Sequence, residues 1–494
     1  MKRFLICIAA LLLFASVTQA GEKKALLIML DGQRSDAMYT APTPNFDALR
    51  NGTWAEGYKG AYTFQAHTNL ESAPSSATNH VAIATGVTAA KNEVYKNGQT
   101  FKGKYDEYPT WMQRLRKADP DIVSVWLYNW SEDGHIPADA TYQNTRGGGV
   151  DGDVKIIDET IQILNGTLPD TPGVKDTKWT KGADVDAIML YLDSMDMFGH
   201  RYGFSVNKDE YYDAMKFYDE KIGKILDAIK SRPNFSNEDW MIVVASDHGG
   251  VYKTHGVVGC KNCYTIPLIV SAKDIDAGKM AGQPQNCCSA AYLMKHMTGS
   301  IPEEFDGYIP QTAPETPANI DNPITNVAEL KAGCPANDFS FVIWFKANGP
   351  QDGDPAIVSN KDWNSGRNPG IALAAFNQKD DLAITLNIGD GKTRDDFRPL
   401  FYNNNEWTFL AVTAQKGGNA MLFVGTQNGR LAFVSDDVSK IQSFSSDLNW
   451  NIGEDGTGNY KCKLNGETKG FQYWPSVLTI DQINELYKKG LENK

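Results

Sequence analysis

Residues 25–36 read ALLIMLDGQRSD, an apolar run that ends in an acidic turn containing a glycine. Such a run, bounded by turn-forming residues, is typical of a β-strand covered on both faces. Four more runs of this kind follow, at residues 122–128 (IVSVWLY), 188–192 (IMLYL), 241–245 (MIVVA) and 266–270 (IPLIV). Together they predict a sheet that is buried on both sides.

An amphipathic segment lies between two of these runs. From Tyr211 to Ser231 the apolar residues recur at helical spacing: Met215, Tyr218, Ile222, Ile225, Leu226 and Ile229. Buried strands that alternate with amphipathic helices predict an α/β sandwich with a mainly parallel sheet. We assign residues 21–310 to this domain.

The pattern changes after a proline-punctuated stretch, residues 301–323. We assign residues 311–330 to a linker, because hydrophobic periodicity is lost there. Beyond it, the apolar residues of 339–345 (FSFVIWF) and 407–413 (WTFLAVT) alternate with period two, and Gly417-Gly418 indicates a hairpin. Residues 331–494 are therefore predicted to form an all-β sandwich.

Residues with metal-binding chemistry stand just beyond three of the predicted strands. Asp31 follows the first run, YLDSMDMFGHRYG carries Asp196 and His200, and VVASDHGGVYKTHG carries the pair Asp247-His248 with His255 seven residues later. Ligand sites in α/β sheets form at the carboxyl ends of strands. Carboxylate and imidazole groups suit a zinc-type dication, and a spacing of four lets Asp196 and His200 converge on one ion.

A serine-rich stretch, ESAPSSATNHVAIATG, precedes the second strand of this set. One interpretation is a helix cap and another is a nucleophile. Its sequence alone leaves several serines open as the attacking residue.

Combined, these motifs resemble the alkaline phosphatase superfamily, in particular type I phosphodiesterases and nucleotide pyrophosphatases. The resemblance rests on Asp-Gly-x-Arg-x-Asp with Thr43-Pro44-Asn45, on Asp-x-x-Gly-His, and on Asp-His-Gly, and it covers residues 24–300. In that family the nucleophile precedes a Thr-Gly pair by nine residues, which implies Ser76 before Thr85-Gly86. Asn79-His80 is similar to the family's Asn-His, which implies that Asn79 donates to a phosphoryl oxygen.

The same resemblance implies two metal sites. One would hold Asp196, His200 and His255, and the other Asp31, Ser76, Asp247 and His248. His255 has His296 and His135 as alternatives, and His80 is interpreted as structural. Two dications, expected to be Zn²⁺, would activate Ser76 and stabilise the leaving oxygen.

Several functions remain open. A phosphodiesterase or nucleotide pyrophosphatase ranks first because Asn79 matches that branch. An alkaline phosphomonoesterase ranks second, with Lys91, Lys59 and Arg146 as candidates for an added substrate-binding cation. A sulfatase ranks third, because the family's proline and arginine after the nucleophile are Thr78 and His80 here. A glycan-binding surface protein with an inactive hydrolase domain is the non-enzyme alternative.

The β-sandwich resembles laminin G-like, concanavalin-type domains through FSFVIWFKAN, IVSNKDWNSGRNPG and EWTFLAVTAQKGG. This resemblance implies a carbohydrate ligand or a bound Ca²⁺. For the first domain we expect a phosphate-ester small molecule, or a phosphorylated glycan or lipid headgroup. The formal charge of −12 argues against a nucleic-acid scaffold.

The beginning of the chain predicts export. Residues 1–20 combine a short basic start, an apolar run and small residues at the end, as a cleaved signal peptide does. No second such run exists, so we expect no transmembrane segment after cleavage and a secreted, periplasmic or cell-surface location. Six cysteines remain, and in an exported chain they predict disulfides, with Cys334 pairing with Cys462.

Overall fold

The structure is a computed structural model that describes residues 21–167, 173–176, 179–180, 182–379 and 381–492. The predicted signal peptide lies outside these residues. Within them, the first domain contains ten strands: β1 (Glu22–Leu30), β2 (Lys59–His67), β3 (Ser124–Tyr128), β4 (Tyr142–Thr145), β5 (Val174–Lys175), β6 (Ala187–Leu192), β7 (Glu238–Ser246), β8 (Thr265–Ala272), β9 (Gly278–Met280) and β10 (Thr312–Ala313). They form one sheet in the order β10-β9-β2-β8-β7-β1-β6-β3-β4-β5.

The centre of this sheet is parallel. β1 lies between β6 and β7, and both pair with it in parallel. In this register Leu30 lies level with Leu192 and Ser246, so the residues that follow these three strands meet at one edge. The predicted mainly parallel sheet is confirmed. The run 266–270 differs, because β8 pairs antiparallel with both β7 and β2.

Helices cover both faces: α1 (Ser35–Thr40), α2 (Pro44–Asn51), α3 (Ser76–Thr85), α4 (Ala89–Asn92), α5 (Trp111–Ala118), α6 (Gly149–Leu164), α7 (Ser194–Tyr202), α8 (Asp209–Lys230), α9 (Lys261–Tyr264) and α10 (Cys288–Thr298). The strand β1 shows how the two layers separate. Leu26 and Ile28 pack into the core that contains α6 and α8, whereas Leu27 and Met29 pack into the core that contains α3, α5 and α10. Alternate residues of one strand thus serve opposite faces.

The second domain is a sandwich of two antiparallel sheets followed by helix α11 (Ile480–Glu492). Its strands are β11 (Phe339–Ala347), β12 (Ala356–Ser359), β13 (Gly370–Gln378), β14 (Asp381–Gly389), β15 (Arg394–Tyr402), β16 (Thr408–Ala414), β17 (Asn419–Gly425), β18 (Leu431–Asp437), β19 (Asn451–Ile452) and β20 (Gly466–Trp474). The sheets run β18-β17-β16-β11-β20 and β15-β14-β13-β12-β19. The predicted all-β sandwich and the hairpin at Gly417-Gly418 are confirmed.

Strand β18 joins the two domains. The Phe433 N–H donates to Asp36 Oδ2 at 3.3 Å, and the Thr265 hydroxyl donates to the Ser435 carbonyl at 3.2 Å. The phenyl ring of Phe433 also packs edge-on against Tyr39, with ring centroids 5.8 Å apart. The sandwich therefore lies directly on the first domain, close to the motif at Asp31–Asp36.

The cysteine prediction is wrong. Cys260, Cys263, Cys287, Cys288, Cys334 and Cys462 are all free. Cys334 Sγ lies 3.3 Å from the Tyr473 hydroxyl, whereas Cys462 Sγ lies against Gly353, so each of the two expected partners has other neighbours.

Among the described residues, none of the helices is both apolar enough and long enough to cross a bilayer.

Candidate active site

Three acidic residues meet at the carboxyl edge of the central strands. Asp31, Asp193 and Asp247 follow directly after β1, β6 and β7. Gly32 allows helix α7 to approach this edge: its φ is +70°, and a Cβ atom there would lie 2.6 Å from Asp196 Cα. Only glycine fits both the backbone conformation and the space. The close approach brings Asp196 beside Asp31.

In both Asp31 and Asp247, one carboxylate oxygen accepts hydrogen bonds and the other accepts none from the described residues. Asp31 Oδ2 accepts from the Tyr191 hydroxyl at 2.6 Å, and Asp247 Oδ1 accepts from the N–H groups of Gly32 and His248. Asp31 Oδ1 and Asp247 Oδ2 are buried without a hydrogen-bond partner among the described residues. Buried carboxylate oxygens of this kind need a compensating cation or donor.

The mutual electrostatics of Asp247 and His248 favour the charged form of Asp247. Burial by itself would raise the pKa of this carboxyl, but the charges of His248 and His80 and the hydrogen bond from the Gly32 N–H hold the pKa below its usual value. For His248, burial opposes protonation, and the carboxylates of Asp247 and Asp31 raise the pKa above its usual value. Both residues are fully buried, so their charges are poorly screened by water.

Ser76 is the first residue of helix α3 and faces these groups. Its Oγ lies 3.2 Å from His248 Nε2, and that nitrogen lies 3.3 Å from both Asp31 Oδ1 and Asp247 Oδ2. Thr85 is the last residue of the helix, and Gly86 ends it with a left-handed φ. The nine-residue spacing that predicted Ser76 thus corresponds to the length of α3.

A second cluster surrounds Asp196. Its Oδ2 lies 3.2 Å from His200 Nε2, and its Oδ1 lies 3.7 Å from His255 Nε2. The other ring nitrogens are fixed by backbone: His200 Nδ1 lies 2.9 Å from the Lys253 carbonyl, and His255 Nδ1 lies 3.0 Å from the Pro74 carbonyl. This arrangement leaves each Nε2 facing the carboxylate. The rings of His255 and His248 stack with centroids 3.8 Å apart and connect the two clusters.

The structure therefore brings together every residue in the predicted metal set: Asp31, Ser76, Asp196, His200, Asp247, His248 and His255. Ligand atoms of Asp196, His248 and His255 lie within 4.8 Å of one another, as do those of Asp31, His80 and Asp247. The donors are imidazole nitrogens and carboxylate oxygens. Three carboxylate atoms among them, on Asp31, Asp196 and Asp247, are buried and lack hydrogen-bond partners in the described chain. This donor set fits divalent metal ions.

His80 was missed by the sequence interpretation. Its Nδ1 lies 2.9 Å from Asp133 Oδ1, while its Nε2 lies 3.3 Å from Asp247 Oδ2 and 3.5 Å from Asp31 Oδ2. A carboxylate on one imidazole nitrogen orients the other nitrogen for a metal. The available signal was the spacing from Ser76, since residues four apart on a helix share a face.

Two predicted substrate contacts need correction. Asn79 is fully buried, and its Oδ1 accepts from the Asn69 N–H and from Asn286, while its Nδ2 donates to the Ser75 carbonyl. Asn79 therefore stabilises the loop before α3, and its side-chain amide does not face Ser76. Lys91 forms an ion pair with Asp306 and donates to the Glu304 carbonyl, so its charge is already balanced.

A different amide stands beside Ser76. Asn97, an exposed residue, accepts from the Ala77 N–H through Oδ1 at 3.0 Å. Because Ala77 is adjacent to Ser76, this bond holds the Asn97 side chain next to the serine and leaves its Nδ2 as the remaining donor group.

The alternative histidines lie elsewhere. His296 contacts Asp274 through Nδ1 and the Asp239 carbonyl through Nε2, so both its nitrogens are used. The ammonium group of Lys23 already lies 2.6 Å from Asp239 and 2.8 Å from Asp274. The acidic group of Asp239, Asp274 and His296 is therefore already neutralised by the Lys23 ammonium. His135 is exposed and packs against Phe101.

Groups of three metal-binding side chains occur only in the first domain, as far as the described residues go.

Comparison with known families supports two units. Residues 25–255 match the model of the type I phosphodiesterase / nucleotide pyrophosphatase family, and residues 324–484 match the concanavalin A-like lectin/glucanases superfamily. The first unit contains every member of both histidine–carboxylate clusters.

Two curated proteins align with half of the chain. Ectonucleotide pyrophosphatase/phosphodiesterase family member 7 from Mus musculus is 27% identical over 263 residues, which cover 50% of this chain and 54% of that protein. The Rattus norvegicus protein of the same name is 25% identical over 265 residues, with 50% and 55% covered. The match thus spans about half the length of these relatives.

Among solved structures, murine ectonucleotide pyrophosphatase / phosphodiesterase 5 has a TM-score of 0.41 at 13% identity, covering 58% of this chain and 98% of that chain. The lipoteichoic acid synthase LtaP from Listeria monocytogenes has a TM-score of 0.40 at 13% identity, covering 58% and 74%.

Proposed function

Because residues 25–255 belong to the type I phosphodiesterase / nucleotide pyrophosphatase family, we propose that this chain is a metal-dependent hydrolase of phosphate esters, with phosphodiesters as preferred substrates. One observation carries the proposal. Ser76 Oγ stands at the start of α3, 3.2 Å from His248 Nε2, beside two carboxylate oxygens, Asp31 Oδ1 and Asp247 Oδ2, that lack hydrogen-bond partners in the described chain. A hydroxyl in such a place is poised to attack phosphorus.

The proposed reaction has two steps. Ser76 Oγ forms a bond to phosphorus while the bond to the leaving oxygen breaks, and water then cleaves the phosphoseryl group. One cation would be held by Asp196, His200 and His255, and the other by Asp31, Asp247 and His248 with Ser76; we expect Zn²⁺ at both. Bound dications would supply Lewis acidity that lowers the pKa of the serine hydroxyl and offsets phosphoryl charge.

The chain's own residues contribute orientation. The Lys253 and Pro74 carbonyls would accept from Nδ1–H of His200 and His255, which would leave each Nε2 available to bind a cation held by Asp196. Asn97 takes the role first assigned to Asn79: its Nδ2 would donate to a phosphoryl oxygen next to Ser76.

A phosphodiesterase is favoured over a phosphomonoesterase by the state of Lys91. A monoester carries an additional negative charge, and Lys91 was the leading candidate to bind it. Its ion pair with Asp306 removes that candidate, which supports the diester. A sulfatase is the third alternative, since His80 occupies the position of that family's arginine.

We also propose export and a glycan-binding role for the sandwich. The composition of residues 1–20 supports a cleaved signal peptide and a secreted, periplasmic or cell-surface location. The match of residues 324–484 to a lectin/glucanase superfamily supports carbohydrate as the sandwich's ligand. The phosphate ester itself would be a small molecule, or part of a phosphorylated glycan or lipid headgroup.

A substrate panel tests this function. We expect turnover of bis-p-nitrophenyl phosphate and of a nucleotide diester, slower turnover of p-nitrophenyl phosphate, and little turnover of p-nitrophenyl sulfate. Sulfate as the best substrate would move the chain to the sulfatase branch. A native preparation without metal and without activity on all four would favour the glycan-binding alternative.

A further inference from the structure

A large cavity lies between the two domains, next to the metal-binding cluster at Asp196. Its volume is about 830 Å³, within the ~300–1,000 Å³ that is usual for small-molecule sites. The first domain contributes residues 202–208 and 252–253, and the sandwich contributes parts of β15, the segment before β16, the turn after β17 and the β13–β14 turn. Sites at domain interfaces are a common place for ligand binding.

The first-domain wall is continuous with the metal-binding loops. Residues 202–208 begin at the end of α7, two residues after His200, and residues 252–253 lie between His248 and His255. The Lys253 carbonyl contacts His200 directly, and the Phe204 ring lies 5.6 Å from the His200 ring, centroid to centroid. A ligand in the cavity would therefore touch the same segments that orient the proposed metal ligands.

Buried Arg34 stabilises the first-domain wall of the cavity through hydrogen bonds. Its guanidinium donates to the carbonyls of Phe204 and Gly250, at 2.7 and 3.1 Å, and pairs with Asp36. In addition, the Phe204 N–H donates to the Tyr252 carbonyl at 2.7 Å. The wall is thus preformed by hydrogen bonds.

The two walls meet at Tyr252 and Lys379. Both have left-handed backbone conformations, with φ of +54° and +55°, which non-glycine residues rarely adopt. The Tyr252 hydroxyl donates to the Gln378 carbonyl at 3.3 Å, its ring lies 4.9 Å from the Phe401 ring, and the Lys379 ammonium lies 5.4 Å from its centroid. Backbone strain of this kind often occurs at ligand sites.

The chemistry of the lining is mixed. Aromatic rings of Tyr202, Tyr252 and Phe401 provide flat apolar faces, and the exposed amide groups of Asn403, Gln427 and Asn428 lie around them. Lys208, Lys253 and Lys379 also line the cavity, together with the carboxylates of Asp381 and Glu406. Such a surface matches a ligand that has apolar C–H faces and many hydroxyl groups.

We propose that this interdomain cavity binds the sugar portion of the substrate, so that the sandwich selects a phosphorylated oligosaccharide for the adjacent hydrolase site. The inference rests on the proposed function and deepens it. Sugar rings pack on the Tyr252–Phe401 platform, and Asp381 accepts from their hydroxyls. The phosphate ester would extend from the cavity toward the neighbouring segment that carries His200, which the Lys253 carbonyl contacts.

The first test measures binding without turnover. The full chain is applied to an array of immobilised unphosphorylated oligosaccharides, and the affinity for the best-bound free oligosaccharide is measured by calorimetry. Phe401→Ala and Asp381→Asn are compared with Phe376→Ala, a matched control on β13 whose ring lines a separate cavity beside Asp354 and Tyr460. We expect each cavity variant to weaken sugar binding by ~10-fold or more, and the control to bind as wild type does. Asp381 is exposed, so its variant tests the site without a risk to folding.

The second test measures selection. For a phosphodiester that links the bound oligosaccharide to p-nitrophenol, kcat/KM should fall in Phe401→Ala by ~10-fold more than it does for bis-p-nitrophenyl phosphate. Absence of binding to the array, equal affinity in all variants, or competition by AMP at the cavity would each overturn the inference. Because array binding needs no catalysis, sugar binding lost in Phe401→Ala without any diester turnover would overturn the proposed function alone.

Discussion

His248 Nε2 lies 3.2 Å from Ser76 Oγ and 3.3 Å from both Asp31 Oδ1 and Asp247 Oδ2. One imidazole nitrogen thus marks the point where the serine and the two strand-end carboxylates converge. Its partner nitrogen, Nδ1, lies 2.8 Å from the Gly249 carbonyl, which directs Nε2 to this point. The predictions below follow from this convergence and from its surroundings.

Removing the nucleophile should abolish the chemical step. We expect Ser76→Ala to lower kcat for bis-p-nitrophenyl phosphate by ~10³-fold or more. Ser75→Ala is the matched control, because the Ser75 hydroxyl contacts Thr78 instead of the site and should cost only a few-fold. Circular dichroism verifies folding. Equal activity in the two variants would exclude Ser76 as nucleophile.

Metal content should depend on each cluster separately. Native protein should contain about two zinc ions per chain by mass spectrometry, and Asp196→Asn or Asp31→Asn should each reduce the content by about one. Asp239→Asn is the control, since Lys23 and not a metal neutralises that residue. Loss of metal in Asp239→Asn, or none in the other two, would contradict the assignment.

Asp133 should act on metal affinity through His80. It contacts Nδ1 of His80, whose Nε2 faces Asp31 and Asp247, so Asp133→Asn should weaken metal binding by ~10–100-fold in a chelator competition. His80→Asn should produce at least the same loss. The exposed His135→Asn should match wild type. Unchanged affinity in Asp133→Asn would show that the pair is only a packing contact.

Stability should fall in mild acid because of His67. Burial, with the nearby charge of Lys261, lowers the pKa of this interface histidine to about 4. The unfolded chain protonates it near pH 6.5, so between pH 6.5 and 4 the unfolded state binds more protons and stability falls as pH falls. From pH 8 to 5 this group should cost about 2 kcal/mol. Urea unfolding of His67→Gln should show a pH dependence weaker by that amount; identical curves would contradict it.

The parts of the site that follow strand ends could be predicted from sequence. Asp31 and Asp247 directly follow uninterrupted apolar runs, and neighbouring parallel strands necessarily bring such positions to one edge. The family's nine-residue spacing to Thr85-Gly86 pointed to Ser76, and in the structure that spacing is the length of α3. In each of these cases, local sequence and local geometry coincide.

The missed features depend on contacts distant in sequence. Whether Asn79 or Asn97 faces the substrate is decided by Asn69 and Asn286, and Lys91 is neutralised by Asp306 from beyond the sheet. The strand β2 was not predicted because polar residues interrupt KGAYTFQAH, and β8, which pairs antiparallel with both β2 and β7, is what makes this part of the sheet antiparallel. Cysteine number indicated disulfides, but pairing depends on geometry that spacing does not encode.

The contacts of β18 bear on how this chain unfolds and how it can be divided. The strand's backbone is bonded to Asp36 and Thr265, while Phe433 packs against Tyr39, so separating the sandwich would uncover apolar rings and leave buried polar groups unmatched. A domain that made few contacts with its neighbour would unfold in a separate transition. Here both domains should unfold in a single calorimetric transition. Either domain produced alone should be less stable than it is in the full chain.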